Sequence, residues 1–81
     1  MMTYMRFVEI LNGFVTYEYG RSKDDIIGSV SMSQKDNKDC KFIYYPNSKI
    51  KSFCTSTSHT LIMINKFIKA NEFPKEYTYA C

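Results

Sequence analysis

Thr55, Ser56, Thr57 and Ser58 stand directly before His59 and Thr60, where strand-like sequence gives way to a helical repeat. Hydroxyl side chains at such a junction suit two kinds of chemistry. They cap the helix, because its first N–H groups have no internal partner. They also suit an anion, since those donors and the helix dipole together favour a phosphate, a carboxylate or the acidic side chain of a partner. Ser56, Thr57, Ser58 and His59 therefore form the candidate anion site, with Lys51 placed to add charge. Capping by Thr57 or Ser58 is the plainer use of the same atoms.

The remaining reactive side chains are scattered. Nucleophilic catalysis needs a nucleophile, a base and an oxyanion donor that can be named together. The chain has one histidine, His59, expected on the surface in the first helical turn, and it has no Gly-x-Ser-x-Gly. A non-enzymatic protein is expected. For a metal, the available ligands are Cys40, Cys54, His59 and Cys81, none of them in Cys-x-x-Cys or His-x-x-x-His spacing. Gly13, Gly20 and Gly28 are too dispersed for a phosphate-cradling loop. No metal or cofactor is expected. Cys40 and Cys54 lie on segments expected to pair. A two- or four-residue turn between them puts the thiols on opposite faces, whereas a three-residue turn opposes them and permits a bridge. Free thiols are the expectation, in keeping with a reducing compartment.

These residues must be positioned by a small antiparallel sheet and one helix. Residues 4–11 read either as a strand or as a helical turn, and Asn12-Gly13 favours the strand, because Asn-Gly between apolar runs is a strong hairpin signal. Phe14 to Tyr19 follows as a strand rich in β-prone residues. After a polar turn over residues 20–25, residues 26–34 alternate apolar and small polar positions. Residues 35–39 form a charged loop and residues 40–45 a further strand. Pro46-Asn47-Ser48 reverses the chain and residues 50–55 read as the last strand of the meander. The helix is predicted from Ser58 to Asn71, with Leu61, Ile64, Phe67 and Ile68 as its buried stripe and Pro74 helping to stop it. The tail, residues 76–80, alternates and suits an edge strand or a drape over the core. The fold class is α+β: a four- or five-stranded antiparallel meander packed on one C-terminal helix, in a single domain over residues 1–81.

Composition narrows the functional classes. Seven Tyr and six Phe without Trp, and a hydrophobic share of 44%, belong to a folded chain. The scarcity of Gly and Pro beside abundant Asn, Lys, Ile, Phe and Tyr suggests an A/T-rich genome, such as that of a low-G+C bacterium or its phage. A net charge of +3 permits contact with nucleic acid without demanding it. The longest apolar run in the helix, Leu61-Ile62-Met63-Ile64, is far too short to span a bilayer, and Met1–Arg6 lacks a secretory pattern. A cytoplasmic protein without membrane contact is expected.

Alternation of the strand at residues 40–45 puts apolar groups on both sheet faces, and one helix covers only one of them. Tyr17, Ile43, Tyr45 and Phe53 are the candidate interface on the uncovered face. The expected function is binding of another protein, as a small regulator of the kind a phage or mobile element carries, together with homodimerisation through the same face or an open sheet edge. Lys41, Tyr44, Tyr45, Lys49, Lys51 and Phe53, on two segments expected to pair, make single-stranded nucleic acid the alternative partner.

Overall fold

The computed structural model describes residues 2–80, so Cys81 lies outside the described residues. Asn12 and Gly13 both adopt left-handed backbone angles, with φ of 53° and 80°. A type I′ turn requires this, and Asn-Gly supplies it at low cost. The turn joins β1 (Met2–Leu11) to β2 (Phe14–Ser22), in register from Leu11 opposite Phe14 to Tyr4 opposite Gly20. Residues 4–11 are thus strand, not helix. A bulge between Phe7 and Glu9 leaves Val8 unpaired and changes which side chains share a face on either side of it.

Next come β3 (Asp25–Ser33) and β4 (Cys40–Tyr44), then the helix α1 (Thr55–Ala70), then β5 (Glu76–Ala80). β5 returns antiparallel to β1, which gives a five-stranded open sheet in the order β4-β3-β2-β1-β5. The result is the expected α+β arrangement, with the helix packed on one face. No helix among the described residues is long and apolar enough to cross a membrane.

Two elements differ from the sequence reading. Residues 50–54 are not a strand, and β4 pairs only with β3. The Ser48 hydroxyl accepts from the Ile50 amide and donates to the Ile50 carbonyl, each at 3.1 Å. Those bonds tie the backbone into a local turn where a ladder would need it extended. The fifth strand comes instead from the C-terminal tail. The helix also begins three residues early, at Thr55 behind an extended Cys54. Its hydroxyls face the sheet: Thr57 Oγ1 meets the Tyr19 hydroxyl at 2.8 Å and accepts from the Cys54 amide at 3.2 Å. The Thr60 hydroxyl turns back to the Ser56 carbonyl at 2.8 Å. The buried stripe accordingly runs through Thr57, Thr60, Ile64 and Phe67, with Leu61 and Ile68 only partly covered at its margins. At the other end Asn71 closes the helix in the left-handed conformation, and the Glu72 amide reaches the Phe67 carbonyl at 3.1 Å.

The core lies between α1 and the middle of the sheet. Met5, Val15, Tyr17, Tyr19, Val30 and Ile64 are fully buried in it. Tyr17 packs against Phe67 with ring centroids 5.4 Å apart and donates its hydroxyl to the Pro74 carbonyl at 2.7 Å. Burial pushes the Tyr17 hydroxyl up to about 12 from an ordinary value of 10.0. A phenol raised in this way favours folding fully below its unfolded pKa and loses that contribution as pH climbs through the folded one. Thermal midpoints should therefore fall between pH 10.0 and about 12. The fall should be shallower in Tyr17→Phe, whose starting midpoint is lower because the Pro74 carbonyl loses its donor. Equal slopes in the two proteins would remove Tyr17 as a cause.

Candidate functional site

One helix is about 10–12 Å across, whereas five strands set roughly 4.8 Å apart make a wider sheet. α1 lies over β1, β2 and β3, so both flanks of the helix-side face stay open. The flank toward β4 is a cleft of about 450 Å³ between Met32, Cys40 and Phe42 of the sheet and Leu61 and Ile62 of the helix, rimmed by Lys38. Cross-strand register sets Phe42 on the same face as Val30 and Tyr17. Phe53 stands against Phe42, with ring centroids 6.0 Å apart at 68°. Phe42, Phe53 and Ile62 are 39%, 55% and 43% exposed, and Ile43, on the other face of the same strand, is 60% exposed. A second cleft, of about 640 Å³, opens on the β5 flank between Phe67, Phe73, Pro74 and Tyr77.

The structure therefore divides the four residues expected to share one interface. Tyr17 is fully buried beneath the helix. Phe53 is on the helix side, beside Phe42. Ile43 lies on the far face, as does Tyr45, half-buried with its hydroxyl donating to Glu18 Oε2 at 2.8 Å. The far face is also more polar than expected. Arg6 Nη2 binds Glu18 Oε1 at 3.0 Å, and Thr16 and Ser31 join hydroxyls at 2.6 Å. Register explains the error. β3 turns Val30 and Met32 toward the helix and puts Ser29, itself buried, and Ser31 on the far face, so the apolar surplus sits at the flanks of the covered face.

The candidate anion residues are placed differently as well. Ser56 and Thr57 are buried, Ser58 is half-buried, and Thr57 is held by Tyr19 and Cys54. His59, expected on the surface, is buried: its Nδ1 meets the Thr3 hydroxyl at 2.9 Å and its ring stacks on Tyr79 at 4.2 Å. The helix rolls this end onto β1 and β5, which turns the hydroxyl run into an internal network instead of a ring of free donors.

Chemically, the β4 cleft is apolar and unreactive. Burial first, then Asp39 and Asp36, push the Cys40 thiol above its ordinary range, which keeps it protonated and a poor nucleophile. His59 is held at β1 and β5, across the sheet from it. Among the described residues no three of His, Cys, Asp and Glu converge as metal ligands. Cys40 and Cys54 are unbridged.

Charge marks the same flank. Residues 34–54 hold Lys35, Lys38, Lys41, Lys49 and Lys51 against Asp36 and Asp39, so this segment carries the whole net charge of +3. Basic and acidic residues balance elsewhere. Phe42 and Ile62 were not singled out from the sequence as interface residues. The available signal was the four-residue run Leu61–Ile64, broader than one helix face can bury. Compared with protein-family models, curated proteins and solved structures, the chain finds no match.

Proposed function

We propose that this chain is a non-catalytic binding domain that engages another protein through the cleft between α1 and β4. The observation that carries this reading is the exposure of Phe42 and Ile62 around one apolar depression, with exposed Phe53 packed on Phe42 and Ile43 at the same sheet edge. Exposed apolar groups assembled with aromatics and rimmed by polar residues are the usual make-up of a protein interface. The two unbridged thiols fit work in the reducing cytoplasm. A role as a small regulator, carried by a phage or mobile element, accords with a domain that offers an exposed apolar contact surface. Single-stranded nucleic acid is the weaker candidate, because Tyr45, one of its proposed stacking residues, is bonded to the Glu18 carboxylate, which repels phosphate.

A photo-crosslinking phenylalanine analogue at position 53, introduced in the producing cell, should yield one discrete protein adduct. Adding Ile62→Asp should abolish it while leaving the thermal midpoint nearly unchanged, since an exposed helical substitution costs about 0.5 kcal/mol or less. The analogue at Thr16, on the far face, should stay unreacted. Adducts only with nucleic acid, or none at all, would refute the reading.

A further inference from the structure

We propose that the occupant of this cleft is an extended, acidic stretch of another protein, added as a new strand to the free edge of β4. Granted the protein-binding reading above, two observations specify the partner's chemistry. The first is the backbone. The Tyr45 amide donates to the Ile27 carbonyl, and the Asp39 carbonyl accepts from the Ser33 amide, each at 3.0 Å. Backbone groups alternate in direction along a strand. The amides and carbonyls of Phe42 and Tyr44 therefore point outward, from the edge that the sheet order leaves unpaired. A strand laid there gains main-chain bonds. Its alternate side chains meet Phe42 on the cleft side and Ile43 on the other, so both faces of the junction are apolar.

The second observation is charge. The segment that carries β4 holds the entire net charge of +3. An acidic strand is attracted and oriented by that excess. A second copy of this chain presents the same excess, so pairing β4 with β4 sets like charge against like. Stacked bases fit poorly, because Phe42 and Phe53 turn edge to face on each other at 68° and do not offer parallel platforms.

The test uses the full chain labelled with nitrogen-15 and a soluble peptide of alternating Glu with Val or Thr. Saturable shifts are expected at the outward-facing Phe42 and Tyr44 amides. The same peptide with Lys in place of Glu should bind at least about tenfold more weakly, a difference of about 1.4 kcal/mol. Lys41→Glu combined with Lys51→Glu should reverse that preference. Four results overturn the proposal: no binding by the acidic peptide, shifts confined to other strands, competition by oligothymidylate at the same amides, or edge shifts driven by protein concentration alone. If the position-53 crosslink to a protein persists while the acidic peptide fails, strand addition falls and the binding reading stands. If the crosslink also vanishes, both fall.

Discussion

Phe67→Ala should lower the thermal midpoint by on the order of 20 °C, the equivalent of about 3–5 kcal/mol for a large-to-small change in a core this size. Phe67 is 7% exposed and is shared by three elements. Its ring packs on Tyr17 of β2 at 5.4 Å and on Tyr77 of β5 at 5.3 Å. Truncation therefore leaves a cavity at the centre of the helix–sheet contact and loosens the last strand with it. Thermal denaturation followed by circular dichroism measures the loss. A midpoint within a few degrees of the parent would mean that Phe67 is not buried between helix and sheet.

Gly28→Ala should have a smaller and more selective effect. A methyl group built on Gly28 would lie 2.4 Å from the Ile43 carbonyl oxygen and 3.3 Å from the Tyr19 hydroxyl. The first neighbour is backbone, so β4 has to move away from β3; the second holds Thr57, so the start of α1 is pressed as well. Overpacking of this kind costs about 1–3 kcal/mol. Faster hydrogen exchange should appear in the β4 amides before those of β1 and β2, and the acidic strand peptide should lose affinity. Unchanged exchange in β4 would show that the two strands do not approach so closely at this glycine.

What was legible in the sequence was what short-range chemistry controls. Asn12-Gly13 announces its turn because both residues tolerate positive φ, and the hairpin register follows from it. Phe67 and Ile64 were identifiable as core because the helical repeat places them together. The failures have a common source in contacts between distant residues. Thr57 and His59 looked like free donors on a helix start. Tyr19 and Thr3, far away in the chain, bury them and extend the helix back to Thr55. Phe53 was assigned to a strand because it follows a plausible turn, but Ser48 closes that turn on Ile50. Tyr17 was assigned to the wrong face because face assignment needs register: pairing through β3 sets Tyr17 level with Val30 and Phe42, which alternation within one strand does not reveal. The cleft beside β4 escaped notice for a geometric reason: it arises from the mismatch between the width of one helix and that of five strands.

Met2 lies opposite Ala80, so the first and last strands are partners. This pairing sets an order of events during synthesis. The hairpin and the rest of the meander can find their register from neighbours as the chain leaves the ribosome. β1 then waits, with one side unpaired, until residues 76–80 have been made. Closing a contact across that span is slow compared with local pairing. The newborn protein is most open to wrong partners in that interval, when β1 is still a bare edge. The stacking of Tyr79 on His59 and the edge-to-face packing of Tyr77 on Phe67 end it.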